Sequence, residues 1–342
     1  MGYWKPQPAE SLGLITNYRC NFRCRHCLYC SSPAVREEPD EEQLNSLVQH
    51  LSETLGPVPV HIGGGEPLLH FQRMERLIAR INRSRLLLEY VETNGSPLLT
   101  DTEAKIRKLQ QSGLNCLLVS ISPFHNEFTA LHDLIRVMGE IVKVLGQEGI
   151  FPWHPGYLPF LEKAGTTTPV PLKKYWSFFT APEIVRQLAS VMYIHPGGRG
   201  ARLLAGHLGR RPAETLLRGP CSRNLASPVH AHVDYRGNYL TGFCSGLRLG
   251  EESALNLPRL FEKGLDLSRY PALEMLLGEG LRALYAYALN KGYTPDASGY
   301  GSPCHLCLDL RVHLYHQGFR FPEFYPYFLY EELGRRNPEA SS

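Results

Sequence analysis

Short apolar runs alternate with segments of helical period over the first 195 residues. SLGLITN (11–17) has the length and composition of a strand. EEQLNSLVQHLSETL (41–55) carries acids in its first turn and apolar residues at three- and four-residue spacing, the pattern of a helix. PVPVHIGGGEP (57–67) predicts a strand ending in glycines, FQRMERLIARINR (71–83) a helix and LLLEYVETNG (86–95) a strand. TEAKIRKLQQSG (102–113) is a helix stopped by glycine, LNCLLVSIS (114–122) a strand and NEFTALHDLIRVMGEIVKVLGQEG (126–149) a long helix. Short strands at 150–153 and at 190–195 (SVMYIH) close the series. Strands alternating with helices of this length demand parallel pairing, because each crossover must run back along the sheet. Six such units, with chemically distinctive residues just after several strands, predict an α/β fold of the partial (β/α)6 TIM-like barrel type. Its active site would lie at the carboxyl ends of the strands. A doubly wound open sheet is the alternative.

The rhythm breaks at WHPGYLPFLEKAGTTTPVPLKKYWSFFT (153–180), which is rich in proline and aromatics and shows no clear period. Loops this long are usually lids or binding loops, and this one is the candidate lid. From 197 the texture changes again. The expected organisation is a barrel core at 1–196, a linker at 197–220, a small α+β domain at 221–318 and a tail at 319–342 that packs and then frays. In the small domain SPVHAHVDYRGNYLTGFC alternates around a turn at RGN. About a dozen residues precede the first strand, and they lack the apolar region of a secretory signal.

Charge and hydropathy narrow the partners. Of 342 residues 43% are hydrophobic, enough for a sizeable core, and the formal charge of +3 has no long basic block. Neither nucleic acid nor an anionic membrane is favoured on these grounds. No stretch approaches the roughly 18 apolar residues needed to span a bilayer. The expectation is a cytoplasmic protein.

In a reducing compartment, clustered cysteines are more often metal ligands or redox groups than disulfides. Nine are present: Cys20, Cys24, Cys27 and Cys30 together, Cys116 in mid-chain, and Cys221, Cys244, Cys304 and Cys307 towards the C-terminus. Thiolates suit iron–sulfur clusters and zinc. Cys20, Cys24 and Cys27 form Cys-x3-Cys-x2-Cys. Three ligands on a four-iron cluster leave one iron open, which makes the cluster reactive. Cys24, Cys27 and Cys30 could instead begin a ferredoxin-type run, but SerSerPro follows and the spacings come in the reverse order. Two separated cysteines and a later Cys-x2-Cys make a second four-ligand set, equally legal for zinc or iron–sulfur.

CNFRCRHC resembles the signature of radical S-adenosylmethionine (radical SAM) enzymes, and later segments agree with that family in order. GGEP within GGGEPLL resembles the segment after the second strand that binds the methionine amino group. ETNG resembles the third-strand end, and VSIS the fourth-strand VSLD-type segment. The resemblance covers roughly residues 12–196. It implies that Cys20, Cys24 and Cys27 hold a [4Fe–4S] cluster whose open iron chelates SAM. It places Gly64, Gly65, Glu66 and Pro67 at the methionine end, with the Glu66 carboxylate pairing an ammonium, and Ser120 against SAM. Ser122 stands where the family has aspartate. Asn94 and Gly95 would shape the mouth, a capping turn being the alternative. His26 fills the position of the family's usual aromatic residue.

Beside such a core, Cys221, Cys244, Cys304 and Cys307 resemble the shortened auxiliary-cluster domain called twitch, related to the longer SPASM domain. DYRGNYLTGFC is similar to the hairpin ending Gly-x-Cys of those domains, and IHPGGRGARL to the segment that often precedes them. The resemblance implies one auxiliary [4Fe–4S] cluster. It also implies a radical SAM oxidoreductase that reductively cleaves SAM to a 5′-deoxyadenosyl radical, abstracts a substrate hydrogen and oxidises the substrate radical through the auxiliary cluster. The substrate would be a small molecule or short peptide, and the electron donor a flavodoxin or ferredoxin. A peptide maturase or epimerase is an alternative, though the short stretch before the first strand disfavours it. A non-catalytic two-cluster electron carrier is the alternative of another class. His125, His154, Tyr157 and Arg199 are further candidates for substrate contacts, Cys116 is a core residue, and Cys30 is a free thiol.

Overall fold

Four residues, Leu12–Ile15, make the first strand of the sheet (β1), and all four are buried. An unbroken apolar strand needs cover on both faces, as a parallel sheet flanked by helices provides. In this computed structural model, β1 pairs in parallel with β2 (Pro59–Gly63) and β2 with β3 (Leu87–Thr93). β3 pairs with β4 (Leu117–Ser120) and β4 with β5 (Ile150–Trp153), again in parallel. Each strand therefore lies beside its sequence neighbour, and the register between β2 and β3 slips once, at Val60/His61. The described residues are 2–335 except 154, 192, 226, 228, 243 and 252.

The crossovers are helices at Glu41–Leu55, Phe71–Asn82, Thr102–Gln111 and Leu131–Leu145. The first starts at a capping box: the Gln43 amide donates to Asp40 Oδ1 at 2.7 Å, and the Gln43 side chain accepts from the Asp40 amide at 3.3 Å. Its buried face is Leu44, Leu47, Val48 and Leu51, the spacing of a helix laid on a sheet. This is the mixed α/β arrangement of a partial TIM-like barrel.

Three elements differ from the sequence expectation. The helix expected over 126–149 begins only at Leu131. Ser122 first caps a separate short helix, Pro123–Asn126, whose proline is preset for a first turn. The described residues of 190–195 form no strand. Thr180 and Glu183 build a capping box that starts a helix at Ala181–Arg186, and it runs on as a wide turn, Gln187–Val191. That helical start decides the local structure ahead of the β-branched run behind it. Segment 153–180 carries two short helices, Leu158–Ala164 and Leu172–Trp176, where no periodicity is visible. Ring packing organises it: Phe160, Tyr175 and Phe179 pack on one another, and Trp176 meets Phe124 edge-on.

The chain divides into two compact units, one of residues 11–24 and 31–193, the other of 1–10, 25–30 and 194–342. The second unit contains an antiparallel hairpin, Ala231–Asp234 with Tyr239–Thr241. Its turn is at RGN: Asp234 Oδ1 accepts from the Arg236 and Asn238 amides at 3.0 and 2.9 Å, and Gly237 adopts φ +76°. The segment expected as a linker holds the helix Gly198–His207, with Arg199, Ala201, Leu204 and Ala205 buried. Helices at Pro271–Leu277, Leu281–Asn290, Pro303–His316 and Tyr327–Gly334 complete this unit. The fraying expected at the end of the tail falls on 336–342, outside the described residues.

Leu117 has no exposed surface and sits between Val91 and Ile150 in the middle of the sheet. Leu117→Ala should cost about 3 kcal/mol by cavity formation. Urea unfolding under anaerobic conditions reads this as a lower midpoint at unchanged slope.

Candidate active site

The segment after β2 is shaped by the chain's own backbone. Gly65 and Glu66 donate their amides to the carbonyls of Asn17 and Arg19, both at 2.9 Å. A Cβ on Gly64 (φ +131°) would lie 2.3 Å from the Asn17 carbonyl oxygen, and one on Gly65 2.0 Å from that of Arg19. Glycine is therefore required here by contact with the chain entering the cysteine loop.

Glu66 is fully buried. Its Oε1 accepts from the Leu68 amide at 3.0 Å and the Thr93 hydroxyl at 2.9 Å, and its Oε2 from the Asn94 amide at 2.7 Å. The first of these caps a turn that opens with Pro67 (Pro67–His70), where a missing N–H costs nothing. The side chain thus ties the end of β2 to the end of β3. Burial pushes its pKa up to about 7 against the pull of the Asn94, Leu68 and Thr93 donors.

Asn94 reaches the cysteine loop. Its Oδ1 accepts from the Ser96 amide at 3.0 Å and hydroxyl at 2.7 Å, fixing the side chain. Its Nδ2 then donates to Asn21 at 2.9 Å and to Cys20 Sγ at 3.7 Å. Cys20 Sγ also accepts from the Phe22 amide at 3.3 Å. Two N–H donors thus converge on one buried sulfur. The contact was hidden in the sequence because 73 positions separate the two asparagines it involves. ETNG gave only the strand end.

Ser120 ends β4. Ser122, in the position of the missing aspartate, is a cap: it accepts from the His125 amide at 3.3 Å and hydrogen-bonds His125 Nδ1 at 2.7 Å. Burial lowers His125 to about 4, so its ring is neutral near pH 7. Tyr157 is buried, and His154 lies outside the described residues. Cys116 is half-buried at the start of β4.

In the second unit, Cys27 offers its carbonyl to the Arg199 amide at 3.0 Å. The Arg199 guanidinium is buried and paired with Glu332 at 2.9 Å, so its charge serves the interior, not an anionic ligand. Cys30 has no exposed surface and adopts φ +57°; burial keeps its thiol protonated even with Arg199 beside it.

The same unit brings Cys221, Cys244, Cys304 and Cys307 into one neighbourhood. Cys304 and Cys307 stand one turn apart on Pro303–His316, a helix capped by Ser302 Oγ at 3.1 Å from the His305 amide. Cys244 sits in the turn after the hairpin, its amide donating to Thr241 Oγ1 at 3.1 Å. The Cys221 amide is held by the Leu276 carbonyl at 2.8 Å. Burial first, then Cys307 and Cys304, push Cys221 up to about 11. Cys244 rises to about 12 by burial, with all three partners adding to the effect and Arg311 opposing it. Four clustered thiols are a donor set that a soft cation would satisfy, by displacing their protons.

The buried acid at the mouth of the sheet yields a pH prediction. A carboxyl raised from an ordinary value near 4.5 to about 7 adds stability that is complete below pH 4.5. That stability is lost as pH rises through 7, by up to ~3 kcal/mol. Glu66→Gln should remove its share of the slope in metal-free protein, read by urea unfolding from pH 4.5 to 8. An unchanged slope would place the titration elsewhere.

Residues 14–145 match the family model "Radical SAM superfamily". Among solved structures the chain is similar to BtrN in complex with AdoMet and 2-DOIA, at 17% identity and TM-score 0.44, covering 81% of this chain and 90% of that one. It is similar to anSMEcpe with bound AdoMet at 14% identity and TM-score 0.45, covering 96% and 98%. Streptococcus suis SuiB bound to S-adenosylmethionine matches at 11% and TM-score 0.30, covering 68% and 60%. Likenesses of this size decide neither substrate nor reaction. Among the described residues no helix is long and apolar enough to cross a membrane. Sequence motif and family match agree: residues 14–145 match the radical SAM superfamily, and that match implies a [4Fe–4S] cluster and S-adenosylmethionine as cofactors.

Proposed function

We propose that the protein is a radical SAM oxidoreductase with an auxiliary [4Fe–4S] cluster, acting on a small molecule or short peptide in the cytoplasm. The gathering of Cys221, Cys244, Cys304 and Cys307 from far-apart positions carries this reading. A second cluster suits a reaction in which the substrate must give up an electron after losing hydrogen. Cys20, Cys24 and Cys27 are the proposed ligands of the first cluster, and the donors on Cys20 Sγ fit that role. Gly64, Gly65, Glu66, Pro67, Asn94 and Ser120 stand at or just beyond the carboxyl ends of β2, β3 and β4, the proposed SAM-binding rim. When bound, the cluster and SAM supply a 5′-deoxyadenosyl radical; the protein supplies orientation and exclusion of water. Segment 153–180 is the proposed lid. Its anchors are the Val170 amide on the Asn126 carbonyl and the His132 amide on the Thr166 carbonyl, both at 2.8 Å. A flavodoxin or ferredoxin is the proposed electron donor.

Anaerobically reconstituted protein given dithionite and SAM should release 5′-deoxyadenosine and methionine. Their repeated absence with iron intact contradicts the reading. Cys30→Ser should keep that activity and its iron, because the Cys30 thiol is enclosed and protonated. Loss of the first cluster in this variant would mean that Cys30 is a ligand.

A further inference from the structure

A buried cation stands beside the auxiliary cysteines. Arg311 is 3% exposed, and among the described residues no carboxylate lies within ion-pair distance of it. An unpaired buried charge is costly and persists only where something opposes it. The neighbours of this guanidinium are a phenol and thiols. Its Nη1 donates to the Tyr330 hydroxyl at 2.7 Å, and the Cys307 and Cys244 sulfurs are close enough to act on its charge. Its Nε has no hydrogen-bond partner among the described residues.

The placement follows from the helix. Cys304, Cys307 and Arg311 fall at i, i+3 and i+7 along Pro303–His316, which puts all three on one face. The turn after Cys244 is shaped to admit the cation. Gly246 adopts φ +79°, and a Cβ there would lie 2.9 Å from both Arg311 Nη1 and Tyr330 Oη. Tyr330 in turn donates to the Gly246 carbonyl. Glycine, tyrosine and arginine thus form one fixture against the cysteine set.

We propose that Arg311 is a positioning residue for the auxiliary cluster that raises its reduction potential, through a fixed charge that Tyr330 holds on the helix face carrying Cys304 and Cys307. A four-iron cluster on four thiolates is already anionic, and reduction adds another negative charge. A guanidinium in a water-poor setting stabilises the reduced form more than the oxidised one. The same proximity compensates the cation, which explains why a buried arginine is tolerated with no carboxylate partner. The proposal rests on the four cysteines holding an iron–sulfur cluster.

The test uses the full chain with Cys20, Cys24 and Cys27 all replaced by alanine, so that any EPR signal comes from the auxiliary site. The signal is titrated against ambient potential with dithionite and mediators, with iron counted in the same samples. Arg311→Gln should lower the midpoint potential, so that at the potential where the parent is half reduced its ratio of reduced to oxidised cluster falls about tenfold. Arg311→Lys, which keeps the charge, should fall between the two. Tyr330→Phe, which removes only the oxygen that orients Nη1, should shift less in the same direction and keeps the proposal testable if Arg311→Gln does not fold. An iron-loaded Arg311→Gln or Tyr330→Phe whose midpoint matches the parent's overturns the proposal while leaving the cluster assignment intact. A parent that binds zinc and gives no EPR signal overturns both.

Discussion

A carboxylate sealed from water holds the mouth of the sheet in shape. Glu66 takes a hydrogen bond from the turn it caps and two from the end of β3, while its backbone amide is bound to Arg19 at the start of the cysteine loop. Three separate chain segments therefore meet on one residue. Their geometry decides where Asn94 points, and Asn94 in turn decides the environment of the Cys20 sulfur. Such a group is costly unless each lone pair it presents is used.

The second unit solves a related problem with the opposite charge. Its cysteines come from a helix start, a hairpin exit and a single helix face, so no local spacing could have positioned them. The fold does it through capping bonds on Ser302, Thr241 and Leu276. An enclosed guanidinium is costly alone, and thiolate character on the neighbouring cysteines would offset it.

How far the sequence discloses this differs from element to element. β1 to β5 and three of their four crossovers are written in apolar runs and helical period, because a sheet covered on both faces leaves little choice of composition. The Glu41–Leu55 helix even shows its cap. Two of the misread elements, the start of Leu131–Leu145 and the turn at 187–191, depend on competing caps at Ser122 and Thr180, which period alone does not weigh. The motif GGGEP was legible, but its reason was not. Its glycines answer to the backbone of Asn17 and Arg19, contacts between positions nearly fifty residues apart. Arg311 was invisible for the same cause: an arginine within an ordinary helix shows its role only when its neighbours in space are known.

The central claim is that one chain carries two clusters on two separate cysteine sets. Metal counting on three anaerobically reconstituted proteins tests it most directly: the parent, a variant with alanine at Cys20, Cys24 and Cys27, and one with alanine at Cys221, Cys244, Cys304 and Cys307. The account predicts about eight iron in the parent and about four in each variant, as two [4Fe–4S] clusters require. Four iron in the parent, or zinc retained only while the second set is intact, would contradict it.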